Sequence, residues 1–306
     1  MKRGRAGVAW SKILPVGFAV WLGAALALAA PVRAQITFPG AAPVSAGEIA
    51  VRLMPSFTDG TQEAQNVDGR TVVQYGVTPL LMLQAQGGLP VSNSAAVATA
   101  GGTQQLSATG LGDTLLGARY TVFYLDEIGS TFRIAPLVNV IVPTGMDNAN
   151  SQAPRYLQPG TGAWGSRDAL TMTWLTLYWV AAAEVGYQAN APGSGYQFGD
   201  TFFADAGFHY RVWPAEFGPN EASEMHLFVE TNYSMTGVTR AQEQVVPGSG
   251  RNLWLIDPGI MYLTPRYSIA LNALLPIDQQ VTDGASRFRY GALLAFRWSF
   301  FTTHHW

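Results

Sequence analysis

His209 and His226 stand in neighbouring segments, TFFADAGFHYRVW and HLFVETNYSM. Asp205 lies four positions before the first histidine and Glu230 four positions after the second. If the two segments pair as a hairpin about a turn near Gly218, His209 faces His226 and Asp205 faces Glu230. Two imidazoles and two carboxylates on one face could bind a divalent metal or act as a proton-sensitive gate. A slip of one residue in the register breaks that arrangement, and the plainer reading is two solvated histidines. His304 and His305 form a terminal pair, HHW, whose plainer reading is incidental. No serine stands beside a histidine in a nucleophile motif, so no catalytic set and no enzyme activity is expected. The stretch PGTGAWG (159–165) lacks the Lys-Ser/Thr and the helix that a phosphate loop needs. With no cysteine in the chain, disulfides and thiolate chemistry are excluded. No cofactor is implied.

Charged residues show a second pattern. In YGALLAFRWSF (290–300), Tyr290, Ala292, Leu294, Phe296, Trp298 and Phe300 alternate with a more mixed set that includes Arg297. Side chains alternate faces along a strand, so the aromatics share one face and Arg297 takes the other. Nine further charges fall on the less apolar face of similar stretches: Arg52, Asp113, Arg119, Arg133, Glu184, Asp205, Arg211, Glu230 and Asp257. If faces were random, the odds of ten such placements would be roughly one in a thousand. Together with His209 and His226, these residues are expected to line a lumen. Five acids and five arginines would either pair across the interior to stiffen it or form a constriction selecting solutes by charge and shape. Equal numbers of each sign predict weak ion selectivity.

The elements that would position such a wall are short alternating strands. The N-terminus carries Lys2, Arg3 and Arg5, then an apolar run from Ile13 to Ala30, then PVRAQ. This predicts a cleaved signal peptide over residues 1–34, with a mature start at Gln35. The leader holds five of the 18 bases, leaving 13 against 20 acids, a net charge of −7. All the remaining bases are arginines, and this acidic balance argues against nucleic acid as a partner. Only 12% of the chain is charged, about half the usual share for soluble proteins. No later apolar run reaches helical spanning length. The pattern predicts an all-β transmembrane, antiparallel up-and-down β-barrel of about twelve strands over residues 47–306, after a short segment at 35–46. Ten strands is the alternative count. Long connectors near 89–111, 143–163 and 239–250 are expected outside the cell, and short ones such as LDEIG and LTPR in the periplasm. The turn hidden in TMTWLTLYWVAAAEV is expected near Trp174–Thr176. Such a barrel would sit in the bacterial outer membrane, facing lipid, and would use the barrel assembly machinery during biogenesis.

Several segments carry a family resemblance. GLGDTLLGARYTVF (110–123), PLVNVIVPTG (136–145), PGTGAWG, GDTFFADAGFHYR (199–211), PGIMY (258–262) and the closing ALNALLPI and YGALLAFRWSF are similar to the MetA-pathway phenol-degradation family. The resemblance spans about residues 45 to 301. It implies an outer-membrane barrel of transporter type, with small and aromatic or hydrophobic molecules as solutes, and it brings no catalytic residues. The alternatives are a non-conducting structural or docking barrel, and a barrel enzyme.

Overall fold

The computed structural model describes residues 40–41, 44–99, 102–216, 222–281 and 285–302. The expected leader, the turn near Gly218 and the terminal histidine pair lie outside the described residues. The first strands are β1 (Glu48–Gly60), β2 (Gln65–Gly76), β3 (Leu81–Gly88), β4 (Pro90–Thr99), β5 (Gly102–Leu111) and β6 (Thr114–Tyr120). Then come β7 (Phe123–Glu127), β8 (Ser130–Val142), β9 (Gly165–Thr176), β10 (Trp179–Asn190), β11 (Tyr196–Gln197) and β12 (Thr201–Trp213). The last are β13 (Glu224–Thr236), β14 (Arg240–Ala241), β15 (Gln244–Val245), β16 (Arg251–Leu263), β17 (Tyr267–Val281) and β18 (Phe288–Phe301).

Among the described residues, twelve of these positions form a closed antiparallel ring: β1, β2, β3, β6, β8, β9, β10, β12, β13, β16, β17 and β18, which returns to β1. The β1–β18 ladder runs from Glu48↔Phe301 to Gly60↔Phe288. Closure gives each strand of the ring a partner on both sides, the condition for strands to cross a bilayer with their backbone groups satisfied.

Alternation explains why these stretches are strands. On β18, Leu293, Ala295, Arg297 and Ser299 are buried, while Leu294, Phe296, Trp298 and Phe300 are exposed. The exposed side chains form an apolar belt. Tyr75, Tyr120, Trp174, Tyr178, Tyr210, Tyr262, Tyr267 and Trp298 ring one end, and Tyr187, Trp254 and Tyr290 stand near the other. Two aromatic girdles flanking an aliphatic band match the two interfaces of a bilayer.

Three connectors differ from the expectation. Residues 89–111 form the β4–β5 hairpin, paired from Pro90↔Leu111 to Thr99↔Gly102 and leaning on β2 at Gln65–Val67. The hidden turn is Leu177–Tyr178, where the Thr176 hydroxyl accepts the N–H groups of Tyr178 and Trp179 at 3.2 and 3.0 Å. The stave that begins as β6 shifts register at Thr121–Val122, since Ala118 pairs with Val138 but Phe123 with Ile134. This bulge moves Tyr124 off the apolar face, where alternation alone put it, and sets it beside Arg133.

Candidate functional site

The interior is built from the inward half of each strand. At the end of the barrel where β1 begins, the end expected to face the periplasm, the described residues before β1 turn inward. Ala41 and Val44 are fully buried, and Val44 packs with Ala50 and Met82. The Ala41 N–H donates to the Thr173 hydroxyl at 2.7 Å, and the Arg119 guanidinium donates to the Gly40 carbonyl. Thr173 stands on β9 and Arg119 on β6, five and three strands round the ring from β1, so Gly40 and Ala41 lie inside the lumen away from the strand they precede. Gly76 lacks a Cβ where the Ser45 backbone lies against it. Arg297 donates to Glu48 at 3.2 Å, which ties the last strand to the first at the same end.

Above this segment the inward residues form a packed, charged layer. His209 Nε2 lies 3.1 Å from Glu230 Oε1, and its ring stacks on Phe228 with centroids 4.8 Å apart. Phe228 in turn covers Gly259 on the next strand, and Phe203 covers Gly186 in the same manner. Arg167 lies over the Phe203 ring at 3.7 Å. Asn232 donates to Asp257, while Gln84 donates to Asn139 at 2.7 Å and Asn139 to the Arg167 carbonyl at 2.8 Å. Glu184 and Asp205 are direct cross-strand neighbours. Among the described residues, one oxygen of Glu184, one of Asp257 and the Asn272 amide have no hydrogen-bond partner.

The structure brings Arg52, Arg119, Glu184, Asp205, His209, Arg211, His226, Glu230, Asp257 and Arg297 to the inner face, all buried. Two other expected wall residues stand elsewhere. Asp113 precedes β6 in the extracellular connector, where its carboxylate accepts the Gly145 N–H at 3.0 Å and the Thr161 N–H and hydroxyl at 2.7 and 2.6 Å. It clamps a loop because the strand parity starts only at Thr114. Arg133 has inward parity but sits at the periplasmic rim, half-buried, paired with Asp126 at 3.1 Å and resting on Tyr124.

The histidine pairing is also corrected. Arg211 faces His226, His209 faces Phe228, and Asp205 faces Asn232, a register two residues from the expected one. The same ladder carries a bulge between Arg211 and Trp213. His226 instead bonds Glu224 on its own strand at 2.8 Å, so neither histidine is solvated. Among the described residues no cluster of histidines and carboxylates is arranged to hold a metal ion. Strand parity would have found Glu48 and Arg167, but nothing in the spacing points to the bond between Glu224 and His226.

The extracellular half opens into a vestibule of about 780 Å³. Tyr156, Tyr196, Phe198 and Phe288 supply aromatic wall, and Leu253, Leu255 and Leu274 supply aliphatic wall. The loop carrying Tyr156 is fixed over the mouth: Asn93 donates to the Leu157 carbonyl at 3.0 Å, and Leu157 packs with Ala95, Ala108 and Ala153. Burial pushes the Tyr156 and Tyr196 phenols above their ordinary 10.0, with Tyr156 adding to the effect on Tyr196, so both stay neutral donors. At the side of the vestibule the β17–β18 ladder stops at Leu274↔Gly291, although β17 continues to Val281. Pro276 has no N–H to offer there. The Gln279 amide closes the top of the seam, donating to the Phe288 carbonyl and accepting its N–H, both at 2.9 Å.

The family described as “Putative MetA-pathway of phenol degradation” matches residues 50–294. The chain belongs to this family. An outer membrane channel from Pseudomonas putida F1 is similar at 14% identity and a TM-score of 0.61, over 87% of this chain and 100% of that one. The beta domain of the Bordetella autotransporter BrkA is 10% identical with a TM-score of 0.42, over 84% of this chain and 100% of that one. The CymD monoaromatic hydrocarbon channel is 11% identical with a TM-score of 0.36, over 86% of this chain and 90% of that one. No curated protein matches the chain. The first likeness shows a shared fold, and the protein is an outer membrane β-barrel.

Proposed function

We propose that the protein is an outer-membrane channel that admits small molecules, aromatic or hydrophobic ones among them, through the vestibule and the narrow charged lumen below it. The observation that carries this reading is the vestibule: a cavity of about 780 Å³ whose aromatic and aliphatic wall is interleaved with polar residues such as Gln65, Asn66, Asn93 and Thr239 has the size and mixed chemistry of a small-molecule site. Membership of a family described by phenol degradation supports aromatic solutes. Arg52, Arg119, Arg297, Glu184, Asp205, Glu230 and Asp257 would shape the constriction, with His209, Arg211 and His226 supporting them. The unpartnered oxygens of Glu184 and Asp257 offer hydrogen-bond sites to a passing solute. Assembly would proceed by the outer-membrane barrel machinery, with Phe296, Trp298 and Phe300 on the closing strand as its signal.

A second reading is favoured by the packing at one end of the barrel, where Val44 and Met82 cluster with Ala50 and Ala41 is buried inside the ring. On this reading the barrel conducts no ions, and apolar solutes leave sideways through the β17–β18 seam or the barrel serves as a structural or docking surface. Single-channel recording of the refolded protein in planar bilayers, with phenol and benzoate as blockers, separates the two. Discrete openings that these solutes block support the channel. A folded, heat-modifiable barrel that never conducts overturns it.

A further inference from the structure

The vestibule wall mixes apolar residues with uncharged polar ones, and three charged residues, Asp59, Arg70 and Arg251, stand in it. Asp59 is held by Arg289 at 3.0 Å, and Arg70 is held by Asp68 at 2.8 Å. Each of these lining charges is therefore already matched. Arg251, the first residue of β16, also lines the cavity and is exposed within it. It has the parity of Leu253, which is buried on the inner face. Among the described residues it makes no ion pair.

An arginine beside apolar surface is a recognisable receptor for an amphiphilic anion. Its planar guanidinium takes a carboxylate in two parallel hydrogen bonds, while the aromatic and aliphatic wall takes the hydrocarbon. Tyr196, Phe198, Leu253 and Leu255 give that wall in the same cavity. We propose that the vestibule selects small apolar molecules bearing one carboxylate, with Arg251 as the residue that binds the acid group. This proposal deepens the channel reading and rests on the vestibule being where solutes are received.

Isothermal titration of the refolded protein in lipid nanodiscs, with empty discs subtracted, would compare 4-phenylbutanoate with 4-phenylbutan-1-ol near neutral pH. The two probes share a ring and chain and differ in the charged head. The acid is expected to bind about tenfold more tightly, the effect of one charge-assisted contact in a partly wet site. In Arg251→Gln the acid should fall to the level of the alcohol while the alcohol is unchanged, and Arg251→Lys should recover part of the preference. Heat-modifiability on gels checks that each variant is folded. Equal affinities in the unaltered protein, or a preference that survives Arg251→Gln, would overturn the proposal and leave the vestibule reading standing. Binding of neither probe would overturn the vestibule reading itself, and this proposal with it.

Discussion

Gly259 has no room for a side chain. A Cβ there would strike the tip of the Phe228 ring and stand 2.6 Å from the Leu271 carbonyl. Phe228 is also the surface on which His209 stacks, so the glycine bears on the position of a buried histidine two strands away. Gly259→Ala should therefore cost about 1–3 kcal/mol by overpacking, read as a lower urea midpoint with an unchanged slope. Arg297 makes a different kind of contribution, because Glu48 is buried with it. Arg297→Met leaves that carboxylate without its partner and should destabilise by about 3–5 kcal/mol, whereas the double variant with Glu48→Leu should recover most of the loss. A double variant as unstable as the single would show that the pair is not what matters. The inward position of Arg297 was legible from the aromatics on either side of it. The bond of His226 to Glu224 was not, because both residues have inward parity and parity says nothing about which inward neighbours bond.

Single elements carry the departures from alternation. A period of two fixes faces only while the ladder is regular. At Thr121–Val122 one extra residue reverses the faces, so strict alternation from Arg119 would put Tyr124 on the wrong side. The β12–β13 register lies two residues from the one expected for a turn near Gly218, and alternation cannot detect that, because a shift of two keeps every side chain on its face. Asp113 was mistaken for a wall residue because its loop and its strand read as one polar-apolar run. The segment before β1 is the element with most effect on permeation. A variant lacking residues 35–45 should show larger unitary conductance in planar bilayers than the same chain with them. Unchanged conductance would mean that the constriction lies in the charged layer instead. At the β17–β18 seam, Gln279→Ala removes both side-chain bonds to Phe288. Faster amide exchange at Phe288 is expected, with Leu293 and Ala295 unaffected.

For the whole molecule, the repeated alternation made the barrel legible almost throughout, since twelve strands must each bury one face and show lipid the other. The inner face holds arginines and carboxylates in comparable numbers, as Arg52, Arg119, Arg167, Arg211 and Arg297 stand with Glu48, Glu184, Asp205, Glu230 and Asp257. In a salt gradient the reversal potential should therefore stay near zero, and a strong preference for either ion would contradict that balance. The meeting of the two chain ends has a wider consequence. Gly47 accepts the Thr302 N–H and hydroxyl, both at 3.0 Å, next to the bond between Glu48 and Arg297. These contacts join the root of the inward segment to the strand that completes the ring. Until β18 meets β1 the segment has no such anchor, so it is fastened only as the ring closes. Completing the wall and setting the inward segment in place are then one event, and a copy that has closed needs no separate step to position it.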